Sequence, residues 1–134
     1  MMTDISIGTQ LPALTLPAIN RTTLALFAGA SGDHNPIHID IDFAKRAGMD
    51  DVFAHGMLSM AYLGRLLTNW QPQSKLRKFE TKFTAITQLR DVITCSGEVI
   101  DVFEYNNEPC AKVAIQAAKD DGTKTLVGEA VVAI

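Results

Sequence analysis

The chain has little from which to build a disulfide framework, a metal knuckle or a nucleic-acid face. Only two cysteines, Cys95 and Cys110, occur in 134 residues, and their spacing fits no zinc or redox motif. Each lies in an apolar, strand-like run, so both read as small buried core residues; a disulfide between neighbouring strands is the minor alternative. Charge of one sign is scarce too. The formal net charge is −3 and the basic residues are scattered, which argues against nucleic acid as a partner. No run reaches the roughly 18 apolar residues of a membrane span. The opening residues lack the charged-then-apolar order of a secretory signal, so the expectation is a cytoplasmic protein without a membrane partner. Linkers, repeats and low-complexity stretches are missing as well, and residues 1–134 read as a single domain.

What is present is a change of period along the chain. Residues 10–17 read as an extended edge segment limited by Pro12 and Pro17. Residues 20–29 read as a helix capped by Asn20 or Thr22, with Leu24, Phe27 and Ala28 on its apolar face. Residues 40–47 read as a short helix ended by Gly48. Residues 56–70 form the strongest helix and leave almost no polar face, so the rest of the domain is expected to wrap it. The second half switches to period two. Phe79, Phe83 and Ala85 alternate with Lys78, Glu80, Lys82 and Thr84. Ile93, Cys95, Val99 and Phe103 alternate with Thr94, Ser96 and Glu98. Ala111, Val113, Ile115 and Ala117 follow, and Leu126, Ala130, Val132 and Ile134 close the chain. Asn106-Asn107 and Asp121-Gly122 supply the turns. A largely antiparallel sheet with one buried face and one covering helix is an α+β layer architecture.

The chemistry is concentrated in residues 27–62, which hold all three histidines. Asp33 and His38 flank Asn35-Pro36, a bend that lets a carboxylate and an imidazole converge, as proton transfer to or from a bound water requires. His55-Gly56 opens the long helix, whose free N–H groups suit a developing oxyanion. Gly56 has no Cβ to block a substrate's approach. Asn35 cannot transfer protons near neutral pH and braces the loop facing the substrate. His55 caps the helix and shapes the pocket. Met57 and Met60 belong mostly to the core, with part of that stripe available to line an apolar channel. His34 reads as a solvated loop residue, and Asp40, Asp42, Asp50 and Asp51 as helix-start and surface charges. Asp33, His34, His38 and Asp40 match no zinc or iron spacing. No metal or other cofactor is expected. Lys75, Arg77, Lys78 and Lys82 read as a solvated strand face, with substrate phosphates as the lesser alternative.

The run Ser31-Gly-Asp-His-Asn-Pro-Ile-His38, followed by Ala54-His-Gly-Met57, resembles the signature of the MaoC-like, (R)-specific enoyl-CoA hydratases. The likeness extends through Phe83-Thr84-Ala85 to Gly128–Val132, and is closest in pattern to the dyad-bearing B subunit of the mycobacterial (3R)-hydroxyacyl-ACP dehydratases. It implies a hot-dog fold, a long helix wrapped by a curved antiparallel sheet. It also implies reversible hydration of trans-2-enoyl thioesters of CoA or acyl-carrier protein. Asp33 and His38 would hold the water between them, with the roles of base and acid undivided, and the Gly56 N–H would polarise the thioester carbonyl. Asn35, His55, Met57 and Met60 would face the substrate. Two departures stand out. The family's Pro-Gly-Asp turn is reduced here to Asp91 within Thr87–Asp91, and a helix serine found in some hydratases is Ala61. A homodimer joined edge to edge is the expected assembly, with a heterodimer as the alternative. The rival functions are a hot-dog thioesterase and a non-catalytic subunit of a dehydratase heterodimer. The Asp33–His38 loop weighs against both.

Overall fold

Five antiparallel strands in the order β1-β3-β4-β5-β2 make one sheet. The computed structural model describes residues 4–134. In chain order the elements are β1 (Leu14–Thr15), α1 (Arg21–Ser31), a 3-10 turn at Pro36–His38, α2 (Ile41–Arg46), α3 (Gly56–Trp70), β2 (Leu76–Phe83), β3 (Ile93–Tyr105), β4 (Glu108–Lys119) and β5 (Lys124–Ala133). The β3–β4 hairpin turns on Asn106 and Asn107, both left-handed at φ 51° and 64°, the conformation a tight hairpin demands and asparagine tolerates. Gly122, at φ 88°, serves the β4–β5 connection. The prolines confine the N-terminal segment as expected: β1 pairs over two residues with β3, and Gln10 adds an isolated bridge to Glu98.

The main core lies between α3 and the sheet. Leu63, Leu66 and Leu67 are at most 2% exposed and pack on Cys95, Val99, Val113, Ile115, Ala117, Leu126, Ala130 and Val132. Truncating one such leucine to alanine costs about 2–5 kcal/mol. A second cluster, with Ile19, Leu24, Ala44, Val52, Ala54 and Leu58, seats α1 and α2 over the start of α3. Both cysteines are buried and free. They stand on neighbouring strands, but Cys95 is opposite Ala117 and Cys110 opposite Phe103, so register separates them. Burial pushes the Cys95 thiol up to about 11, which leaves it protonated and inert.

Two expectations are corrected. α3 is not enclosed on every side by its own chain: Met57, Ala61, Arg65 and Thr68, spaced one turn apart, form an exposed stripe. The sheet covers one flank and α1 part of another. Phe103 does not share a face with Ile93, Cys95 and Val99. A β-bulge between Val99 and Asp101 reverses the alternation, and Phe103 packs with Tyr105, Cys110, Val131 and Ala133 in a separate small cluster.

Among the described residues β2 pairs with β5 alone, which leaves its other edge free. At Gly128 on β5, a Cβ would lie 2.0 Å from the Glu80 carbonyl oxygen of β2. Only glycine fits there. Arg77 is engaged by the Glu108 carboxylate and Lys78 by Glu80 at 3.4 Å, so these two of the four strand-face cations already have partners.

Candidate active site

The loop after α1 is held by successive side-chain to backbone hydrogen bonds. Asn20 caps α1 through the Thr23 N–H, and Gly32, left-handed at φ 77°, ends it. Ser31 Oγ then accepts from the Asp33 N–H at 3.1 Å, Asp33 Oδ1 from the Asn35 N–H at 3.2 Å, and Asn35 Oδ1 from the Ile37 N–H at 3.1 Å. Asp and Asn are suited to this because their short side chains reach the backbone two residues on. Pro36 starts the 3-10 turn that carries His38, and Asp40 caps α2 by accepting from Asp42 and Phe43.

That turn brings His38 under the segment entering α3. Its Nδ1–H donates to the Phe53 carbonyl at 2.7 Å. A carbonyl can only accept, so the neutral ring carries its proton on Nδ1 and leaves Nε2 as a bare lone pair. Phe53 also meets the ring edge-on, with centroids 5.0 Å apart. Asp33 is exposed and spends one carboxylate oxygen on the loop. Asp33, His38 and His55 bring ligating atoms within 4.8 Å of one another; His34 and Asp40 are not part of this group. The two imidazoles stack with planes only 28° apart. Lone pairs lie in the ring planes, and planes so nearly parallel meet far from both rings. The two histidines as placed therefore do not aim at one ion.

His55 is 1% exposed. Its Nε2–H donates to the Asp33 main-chain carbonyl at 3.1 Å. Desolvation lowers its pKa first, and the neighbouring His38 lowers it further, against the raising effect of the Asp33 carbonyl and carboxylate. His55 occupies the cap position of α3 but makes no side-chain cap bond; its carbonyl takes the Leu58 N–H at 3.1 Å, and no side chain caps the Gly56 and Met57 N–H groups. It lies behind the loop and presents no surface to a substrate.

In front of Asp33 opens an apolar cavity of about 390 Å³ walled by Phe27, Met57, Met60, Ala61 and Phe79. The structure thus brings Met57 and Met60 onto the same wall. Asn35 stays outside it, its carbonyl engaged within the loop. Gly56 begins α3 beside this group, and Phe83 lies over it: a Cβ on Gly56 would sit 2.8 Å from two Phe83 ring carbons. Sequence reasoning missed the site roles of Phe27, Phe79, Phe83 and the Phe53 carbonyl. The one signal was that Phe27 precedes Ser31 by one helical turn.

Residues 6–120 match the MaoC like domain family. The chain belongs to this family. It is 30% identical over 111 residues to the (R)-specific enoyl-CoA hydratase of Aeromonas caviae, covering 81% of each chain. It is also 30% identical over 115 residues to the fatty acid synthase subunit beta of Saccharomyces cerevisiae, covering 78% of this chain but 6% of that protein. The chain spans 58–59% of the length of two further curated relatives. Among solved structures, an R-hydratase of Pseudomonas aeruginosa superposes with a TM-score of 0.85 at 27% identity, covering 96% of this chain and 82% of that one. The fold is that of the MaoC-like hot-dog proteins, a curved sheet around a central helix, and the family's chemistry is that of hydro-lyases.

Proposed function

We propose that the chain catalyses the reversible, (R)-specific addition of water to trans-2-enoyl thioesters of CoA or acyl-carrier protein. The observation that carries this reading is that Asp33 and His38 bring a carboxylate oxygen and a ring nitrogen within 4.8 Å of one another, with Asp33 on the wall of an apolar cavity that Met57, in the first turn of α3, also lines. A water held by these two acceptors attacks C3. The C2–C3 π electrons move toward the thioester carbonyl, whose oxygen gains negative charge next to the Gly56 N–H and the positive end of the helix. The dyad takes a proton from the water and a proton is delivered to C2, so one water is added and the dyad is regenerated. Both groups are acceptors when Asp33 is ionised and His38 neutral. The acyl chain lies along Phe27, Met60 and Phe79.

These residues supply an acid–base pair and an oxyanion donor, which is all that water addition needs, so the reaction runs without metal or redox cofactor. The free edge of β2 and the exposed stripe of α3 favour pairing with a second copy, edge to edge, in the cytoplasm. No helix among the described residues is long and apolar enough to cross a membrane. The test is turnover of crotonyl-CoA by the purified chain alongside Asp33→Asn and His38→Ala. Both variants are expected to keep the wild-type circular dichroism and to lose hydration. Near-normal turnover by either variant, or release of free thiol in place of hydration, overturns the reading.

A further inference from the structure

His55 does nothing in the water-addition step as written, yet it is a nearly fully buried imidazole on α3's cap. Its Nε2 has only a carbonyl to meet, that of Asp33 at 3.1 Å. Its Nδ1 is buried and has no hydrogen-bond partner among the described residues. Of the two neutral tautomers, Nδ1–H would bury an unpartnered donor and set a bare Nε2 against a carbonyl oxygen. Nε2–H leaves only an unpartnered acceptor, the lesser cost. The ring is wedged between His38, stacked with centroids 4.0 Å apart, and Phe27, which meets it edge-on at 5.0 Å. It therefore touches both members of the dyad at once, Asp33 through its main chain and His38 through its face.

We infer that His55 is a positioning residue, which as the Nε2–H tautomer ties the Asp33 carbonyl to the start of α3 and holds the His38 ring flat against its own. The inference rests on the hydratase reading for its activity readout. The carbonyl tie fixes where the Asp33 carboxylate stands relative to His38, because Asp33 is otherwise an exposed loop residue held only by contacts within its own loop. The stack prevents His38 from turning about its Nδ1–Phe53 bond. The groups facing His55 are Phe27 from α1 and Asp33 and His38 from the loop.

Two variants of the full chain separate positioning from packing. Glutamine reaches with an amide N–H to the place of the imidazole Nε2 and can still donate to Asp33. Leucine fills similar space and cannot. On crotonyl-CoA, His55→Gln should keep kcat within about threefold of wild type, while His55→Leu should lose about a hundredfold in kcat with KM little changed, the size of effect expected when a catalytic group is misplaced by about an ångström. Amide hydrogen exchange over residues 32–38 should accelerate in His55→Leu and not in His55→Gln. In the wild type, nitrogen-15 shifts should show His55 protonated on Nε2 and bare on Nδ1. Wild-type kcat in His55→Leu, unchanged loop exchange in that variant, or a neutral Nδ1–H His55 would overturn the inference. If the wild type hydrates no enoyl thioester, the hydratase reading fails, and the exchange and nitrogen-15 results still decide the role of His55.

Discussion

His38 and His55 lie face to face, ring centroids 4.0 Å apart, yet each gives its one neutral N–H to a different backbone carbonyl, Phe53 for His38 and Asp33 for His55. The two rings thereby acquire opposite duties. His38 keeps its Nε2 bare, and His55 directs its proton into the scaffold. The asymmetry arises from which carbonyl each ring meets.

The burial of His55 makes acid a stress on the fold. Burial holds the His55 pKa below its ordinary value, whereas in the unfolded chain the imidazole takes its proton near pH 6.5. Below that pH the unfolded state binds more protons than the folded one, so stability falls as pH drops from about 6.5 toward the lower folded pKa. Thermal unfolding between about pH 7.5 and 5 should show a falling Tm, with a shallower slope in His55→Gln. A Tm that rises on acidification, or an identical slope in the variant, contradicts the burial of a neutral His55.

Gly56→Ala tests the approach to the α3 N-terminus. The added Cβ meets the Phe83 ring at 2.8 Å, but Phe83 is 55% exposed and free to swing aside, so the stability cost should stay within about 1 kcal/mol, at the low end of overpacking. The displaced ring and the new methyl crowd the place where a thioester oxygen would reach the N–H. The expected loss is about tenfold to a hundredfold in kcat/KM, up to the range seen on losing an oxyanion donor. Unchanged kcat/KM with an unchanged Tm would remove Gly56 from the site.

Much of this was legible in the sequence because it is written in side chains. The bounds of α3 follow from an unbroken apolar helix between His55-Gly56 and Gln71-Pro72, and the Asp33–His38 loop follows from residues whose side chains bond their own backbone. α1 runs on to Ser31, beyond the expected end at Gly29, because the residue that adopts the left-handed stop is Gly32. The bulge at Ile100 was hidden, since an inserted residue leaves the apolar alternation looking regular until Phe103 emerges on the other face. The Phe53 carbonyl that sets the His38 tautomer was hidden for a different reason: any residue at that position offers a carbonyl. The exposed stripe of α3 depends on how far the sheet curls, which hydropathy does not encode.

The turn that departs from the family pattern carries a measurable strain. Arg90 is left-handed at φ 73°, locked there by its N–H to Ile19 O at 2.7 Å and by Asp91, whose carboxylate accepts the Gln88 N–H at 2.7 Å. A non-glycine residue pays about 1 kcal/mol for that conformation. Arg90→Gly should therefore raise Tm by about 3–4 °C in a domain of this size. A fall in Tm would mean that the arginine side chain contributes more than its backbone conformation costs.

The most direct test of the account is the configuration of the product that the wild-type chain forms from crotonyl-CoA, measured with Asp33→Asn and His38→Ala beside it. The account predicts (R)-3-hydroxybutyryl-CoA from the wild type and no hydration from either variant, both variants remaining folded. An (S)-configured product, or full turnover surviving the loss of Asp33 or His38, would contradict it.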